Sequence, residues 1–328
     1  MPTADQLKAL LSSHAEGDDA QFFSVAMQIA AAEARQGHGR LAKELRSLID
    51  KAKNRSGVEA ATPIPLAKPR GELADLLSVT YPTTKLADMV LAENVTGRLL
   101  RVIREHKAVR SIRSLGLSPR RKLLLIGKPG TGKTLTASAL AGELGVPLFV
   151  IRLDGLITKF MGETAAKLRL VFDAMNQSRG VYLFDEFDSI GSERGLGNDV
   201  GEIRRVVNSF LQMVERDESD SLVIAATNHI ALLDRALFRR FDDIIEFGLP
   251  DEKQIKTLMQ NKLSGASVQN VKWTTLSKAA LGLSYADIVR AIEDAIKTVL
   301  IDGREAITQA DLAGCIKERK ATLAGGDR

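Results

Sequence analysis

An α/β core on a parallel sheet, preceded by a small helical domain and closed by an all-helical one, is the fold class this sequence predicts. Three observations predict it. Short apolar runs at 123–126, 148–151, 181–184, 222–226 and 244–247 alternate with helix-forming stretches at 134–144, 164–175 and 201–215. Strands that read as unbroken apolar runs are covered on both faces, as in a parallel sheet between helices. Beyond residue 251 the period is helical only, over 255–263, 273–281, 286–300 and 309–319.

The elements follow in order. Leu7, Leu10 and Leu11, then Phe22, Phe23, Val25, Ala26, Ile29 and Ala30, then Leu41, Leu45, Leu48 and Ile49 recur at helical spacing. Two or three short helices are expected there. Pro63, Pro65 and Pro69 follow between Gly57 and Gly71, which favours an extended linker over a helix. Helices resume near residue 72, with Leu73, Leu76 and Leu77 and then the stretch 95–115. The expected organisation is a helical N-terminal domain at 1–54 for docking substrate or partner, and a linker at 55–71. The α/β domain with its helical entry occupies 72–250, and a helical lid 251–328. There is no internal repeat.

Composition excludes several classes. The 328 residues are 45% hydrophobic and 27% charged with a net charge of +5, an ordinary globular balance. The lone Cys315 cannot form an internal disulfide, so nothing points to an oxidising compartment. No early apolar run suits a signal peptide. The most apolar early stretch, 22–32, is too short for a bilayer, which needs about 20 residues. No membrane contact and a cytoplasmic location are expected. His14, His38, His106 and His229 have no metal-ligand spacing, and there is no H-E-x-x-H. A basic run holds Arg98, Arg101, Arg104, Lys107, Arg110, Arg113, Arg120, Arg121 and Lys122 against Glu105. It reads either as a solvated surface or as an interface with nucleic acid, an acidic partner or a neighbouring subunit.

The chemistry concentrates in two places. Gly127, Lys128, Pro129, Gly130, Thr131, Gly132, Lys133 and Thr134 fit G-x-x-x-x-G-K-[ST] at every fixed position, with a strand before and the helix-forming run 134–144 after, and with Leu135 they make up the expected nucleotide-binding set. Glycines let backbone N–H groups wrap phosphate oxygens, and the helix N-terminus adds positive potential. Lys133 is placed for the β- and γ-phosphates and Thr134 for Mg²⁺. About fifty residues on, the strand 181–184 ends in Asp185 and Glu186. A position beside the phosphate-loop strand would bring both acids to the carboxyl edge of the sheet. There Asp185 suits magnesium and Glu186 suits deprotonation of an attacking water. Asp188 reads as structural or solvated.

Taken together these residues resemble the AAA ATPase family, over roughly residues 86–321. Asp185-Glu186-Phe187-Asp188 is similar to its acidic box. Ala225-Ala226-Thr227-Asn228 is similar to its first sensor, and that resemblance gives Asn228 a contact with the γ-phosphate or the attacking water. The segment 233–242 is similar to the stretch that carries arginine fingers, here Arg239 and Arg240 without the usual Pro-Gly between them, as in the katanin and spastin branch. Which of the two does more is open. Gly282-Leu283-Ser284-Tyr285-Ala286-Asp287 is similar to the turn that starts a lid helix over the adenine, with Ser284 as the helix cap. Arg290 reads as structural, and Trp273 as lid core. Phe160, Met161 and Gly162, between a strand and a helix, are similar to the pore loop of polypeptide-threading rings, with a weaker second pore loop over 192–201.

The resemblance implies an ATPase that uses ATP and Mg²⁺. It also implies a homo-oligomeric ring, a hexamer, with an arginine finger supplied in trans, that remodels, unfolds or threads a protein substrate. A separately encoded peptidase or effector is one partner it allows. A nucleic-acid remodeller is less favoured, since no recognised nucleic-acid module is present. A nucleotide-controlled scaffold is the third reading.

Overall fold

The structure is a computed structural model. It describes residues 19–35, 38–56, 71–152, 161–187, 200–228 and 238–326, with the isolated positions 8 and 13. The chain divides into two compact units, 1–66 and 67–328. The proline-containing stretch expected as a linker lies almost wholly outside the described residues.

In the first unit, helices α1 (Asp19–Arg35) and α2 (Gly39–Ser56) pack together. Ala30 and Ile49 are buried between them, with Phe22, Ala26, Met27 and Leu45 against that pair. These residues fall on one face of each helix because they repeat at three- and four-residue steps.

The second unit opens with α3 (Glu72–Leu76), which runs directly into β1 (Leu77–Thr80). Leu77, expected in a helix, is thus the first residue of a strand, because the helical turn ends at Leu76 and the β-branched pair Val79 and Thr80 favours extension. After a 3₁₀ turn at Leu86–Asp88 come α4 (Glu93–Lys107), α5 (Val109–Ser114), β2 (Lys122–Gly127), α6 (Lys133–Leu144) and β3 (Leu148–Ile151). Then follow α7 (Met161–Gln177), β4 (Val181–Phe184), α8 (Val200–Arg216), β5 (Leu222–Thr227) and β6 (Asp243–Phe247). The sheet order is β1-β3-β4-β5-β2-β6. All pairings are parallel except β1 with β3, an antiparallel edge. Every described residue of β4 and β5 is buried, as a sheet covered on both faces requires.

Parity divides the core. Leu124, Ile126, Phe149, Ile151, Tyr182, Phe184, Val223 and Ala225 share a cluster with Leu168 and Phe172 of α7 and Phe210 of α8. Phe184 meets Phe210 edge-on at 4.8 Å between ring centroids. Alternate residues of the same strands point to the opposite face.

The lid comprises α9 (Glu252–Lys262), β7 (Val268–Gln269), α10 (Trp273–Ala280), α11 (Tyr285–Ile301), β8 (Ile307–Thr308) and α12 (Gln309–Gly326). Two-residue strands β7 and β8 pair in parallel, a small departure from the all-helical expectation. Such short runs leave no period to read. Ile255, Met259, Leu276, Ile288, Ile292, Leu312 and Ile316 form its core, with Trp273 packed against it. Asp251 opens α9 through a reciprocal pair with Gln254, its carboxylate accepting from the Gln254 N–H at 2.7 Å. Among the described residues no helix is long and apolar enough to cross a membrane.

Much of the basic run is committed inside the fold. Arg98 pairs with Asp243 and Arg113 with Asp220. Arg101 pairs with Glu105 at 3.0 Å, Arg121 with Asp217 at 2.9 Å, and Lys122 donates to the Glu215 carbonyl at 3.1 Å. Arg98, Arg101 and Arg113 stay exposed despite their partners, as do Arg104, Lys107 and Arg110.

His106 lies in the same region, on the buried face of the last turn of α4, with Nε2 2.8 Å from the Arg120 carbonyl. Burial is the largest influence and lowers its pKa. Protonation is therefore harder in the folded protein than in the unfolded chain, where the ring titrates near pH 6.5. The stability that the neutral ring contributes is intact above that pH and is lost as pH falls through the folded value. The thermal unfolding midpoint should fall between pH 7 and pH 5, and His106→Gln, which retains an N–H for the Arg120 carbonyl, should flatten that slope. An unchanged slope in the variant would remove His106 as the cause.

Candidate active site at the carboxyl edge of the sheet

The loop between β2 and α6 is shaped by its glycines. Gly130 and Gly132 have φ of 74° and 102°, a region that L side chains rarely enter. Gly127 has no room for a side chain against the Phe247 carbonyl, and a Cβ on Gly130 would lie 2.5 Å from Ser284 Oγ. The Thr131 hydroxyl donates to the Lys128 carbonyl at 2.8 Å and closes the loop on itself. The loop's backbone can therefore approach a ligand that no Cβ would permit, and the first N–H groups of α6 lie at its end. Lys128, Pro129 and Leu135 are exposed.

Lys133, the first residue of α6, is buried. Its ammonium donates to the Gly127 carbonyl at 2.7 Å, the Lys128 carbonyl at 3.1 Å and Asn228 Oδ1 at 2.7 Å. The next residue, Thr134, donates its hydroxyl to Asp185 Oδ2 at 2.6 Å. Two consecutive side chains thus reach the ends of two different strands. The strand order corrects one expectation. β4, which ends in Asp185, is not beside β2; β5 lies between them and brings Asn228 into the gap. A parallel sheet can place a third strand there because α-helical crossovers of any span return the chain to the same edge.

Glu186 is the unusual residue of the site. Its φ is 49°, left-handed for a side chain with a Cβ. The next residue in the chain holds it there. The Phe187 N–H donates to the Ala226 carbonyl at 2.9 Å, and the Phe187 ring is buried 4.6 Å from that of Phe210. The Glu186 N–H donates to Asp185 Oδ1 at 3.0 Å. Asp185 is thereby held by Thr134 on one oxygen and by the backbone on the other, while the Glu186 side chain is exposed. Phe187 is the anchor that sequence reasoning passed over; an apolar residue inside an acidic run was the available signal.

The lid reaches the loop directly. Ser284 caps α11, its Oγ accepting from the Asp287 N–H at 3.2 Å. The Ala286 N–H donates to the Gly130 carbonyl at 3.1 Å. Met89 lies beside Gly132. Of the arginine pair, Arg239 is exposed, while Arg240 Nε is 3.5 Å from Glu215 Oε2. Phe160 lies outside the described residues. Met161 and Gly162 are the first residues of α7, so that helix begins three residues earlier than the sequence pattern suggests. Asp188 and residues 192–199 also lie outside the described residues, and 200–201 open α8.

A triphosphate with a divalent cation suits this donor set: a loop opened by three glycines, a buried ammonium, a hydroxyl, and two carboxylates at one edge. Among the described residues no cluster of three or more His, Cys, Asp or Glu could hold a metal alone. A cation here would therefore share Thr134 and Asp185 with phosphate oxygens.

Residues 123–249 match the family described as ATPase family associated with various cellular activities (AAA). An uncharacterized AAA family ATPase of Sinorhizobium fredii is 33% identical over 328 residues, all of this chain and 98% of that protein. The ATP-dependent zinc metalloprotease FtsH of Rhodococcus erythropolis is 32% identical over 263 residues, 78% of this chain but 30% of that protein. The proteasome-activating nucleotidase of Saccharolobus solfataricus is 34% identical over 258 residues, 72% of this chain and 65% of that protein. The chain thus spans less than two thirds of the length of these last two relatives.

The left-handed Glu186 carries a testable cost, about 1 kcal/mol for a residue with a Cβ. Glu186→Gly should raise the melting temperature by about 2–4 °C while abolishing ATP turnover. A melting temperature no higher than the parent's would mean that the turn is unstrained.

Proposed function

The chain belongs to the AAA family of ATPases and hydrolyses ATP, and on that premise we propose that it is a ring motor that turns hydrolysis into work on polypeptide. The observation that carries the assignment of the site is the convergence of Lys133 on Asn228 and of Thr134 on Asp185 at one sheet edge. In this reading the glycine loop and Lys133 hold the β- and γ-phosphates, and Thr134 and Asp185 hold Mg²⁺. When bound, the ion supplies charge neutralisation at the phosphate oxygens. Glu186 takes the proton of the attacking water on its carboxylate, and Asn228 orients that water through its amide. The left-handed turn leaves the Glu186 side chain exposed, and the buried Phe187 keeps that turn from relaxing.

The arginines act across a subunit boundary. Arg239 is exposed and makes no ion pair among the described residues, whereas Arg240 is paired with Glu215. That difference favours Arg239 as the guanidinium offered to the next subunit's nucleotide, with Arg240 fixing the turn that presents it. A head-to-tail contact of this kind closes into a ring, of six copies in this reading.

The polypeptide substrate is supported by the relatives, named as an ATP-dependent protease and a proteasome-activating nucleotidase. The proposal is unfolding or threading of polypeptide, with a separately encoded peptidase or effector as a partner. Phe160, Met161 and Gly162 would grip the substrate by dispersion and burial, which are indifferent to its sequence. Arg120, Arg121 and Lys122 are held by partners within the fold, which removes three cations of the basic run from any contact with nucleic acid.

Two variants test this. Glu186→Gln should lower kcat by about 10²–10⁴-fold while retaining ATP on an assembled oligomer; turnover equal to the parent's would remove Glu186 as the base. Phe160→Ala should keep the basal ATPase rate and lose ATP-dependent unfolding of a tagged protein substrate. Undiminished unfolding would overturn the threading loop.

A further inference from the structure

The lid contains a chain of polar contacts that ends on the phosphate loop; the resemblance includes its turn at 284–287 but not Arg319, from which the chain starts. It begins on α12. Arg319 is half-buried, with Nε 3.1 Å from Asp287 Oδ1 and its terminal nitrogen at the same distance. Asp287, in the first turn of α11, accepts the Ser284 hydroxyl on its other oxygen at 2.6 Å. Ser284 in turn accepts the Asp287 N–H and lies so close to Gly130 that a Cβ there would sit 2.5 Å from its oxygen. The Ala286 N–H of the same turn donates to the Gly130 carbonyl.

Each link has a physical reason to be stiff. Burial by itself would raise the Asp287 carboxyl, but hydrogen bonds from Ser284 and Arg319 outweigh it and hold the pKa down. The carboxylate is thus charged at neutral pH and keeps the guanidinium in place. Because its two oxygens serve different partners, Asp287 cannot rotate without breaking one of them. α12 is fixed at its other end, where Asp311 accepts from the Thr308 N–H and hydroxyl and pairs with Arg304 at 2.9 Å. Leu312 and Ile316 bury its inner face in the lid core. Seating of the α11 N-terminus on Gly130 therefore depends on where α12 stands.

The geometry points to Arg319 as a positioning residue that, through Asp287 and Ser284, seats the first turn of α11 on the Gly130 carbonyl and so sets nucleotide affinity. Its guanidinium is engaged with Asp287, within the lid, so it acts on binding and not on the chemical step. It also makes the last helix a handle: a partner that displaces α12 would loosen nucleotide without touching the site. The inference rests on the assignment of residues 127–134 as the phosphate-binding loop.

Fluorescent ADP and ATP analogues titrated into the full chain test it, together with steady-state ATPase assays. Arg319→Ala and Asp287→Asn should each weaken binding about tenfold and raise KM to match, with kcat not reduced, the mark of an interaction made equally in ground and transition states. The double variant should be no weaker than either single one, because both break one link. Arg319→Lys, which retains the charge but not the guanidinium's two contacts, should fall between parent and Ala. It also serves as the readout should the Ala variant fold poorly. Binding by Arg319→Lys and Arg319→Ala within twofold of the parent, or losses that multiply in the double variant, would overturn the inference. Failure of the unmodified chain to bind nucleotide would instead remove the phosphate-loop assignment.

Discussion

A buried ammonium must be paired, and in this fold the pairing of Lys133 organises what surrounds it. Placing such a charge in the interior without partners costs several kcal/mol. Lys133 meets that demand with carbonyls of its own loop and with the amide oxygen of Asn228, on a strand 95 residues later. The contact ties the start of α6 to the end of β5, and β5 in turn is hydrogen-bonded between β2 and β4. The acids at the end of β4 are then one strand away from Asn228, near enough for Thr134 to reach Asp185. A single side chain thus ties the loop to Asn228, beside the acids, before any ligand is considered.

The same edge also stores strain. Glu186 occupies a conformation that a glycine would adopt more readily, and the aromatic cluster of Phe184, Phe187 and Phe210 holds it there. Core packing of the α7–α8 face and the aim of one carboxylate are therefore the same structural fact. α8 extends from that cluster to Glu215, which pairs with Arg240. Its carbonyl end also receives Lys122, a cation at a helix C-terminus, as the helix dipole favours. One helix thus touches the anchor of the acids at its middle and the arginine turn at its end.

The lid is joined to this arrangement through backbone as much as through side chains. Gly130 is a close-contact point twice over, once for its positive φ and once because Ser284 and Ala286 occupy the space a side chain would need. The glycine that shapes the β2–α6 loop is also the glycine that admits the lid.

Within the sequence, the glycine-shaped turn between β2 and α6 was legible, because the backbone freedom of residues 127–134 is local. The strands β2 to β6 were legible from their apolar runs, and the lid helices from their period and from the cap at Ser284. The tertiary structure alone decided the rest. Leu77 belongs to an antiparallel edge strand, since pairing with β3 outweighs a short helical pattern. Helix α7 takes in Met161 and Gly162. β5 separates β2 from β4, and Glu186 turns left-handed because a phenylalanine beyond it is buried. Arg319 meets Asp287 across 32 residues, and Arg240 meets Glu215 across a strand. Local pattern specifies what each segment becomes. Which segments meet depends on packing among elements far apart in the chain, and no short-range period encodes that.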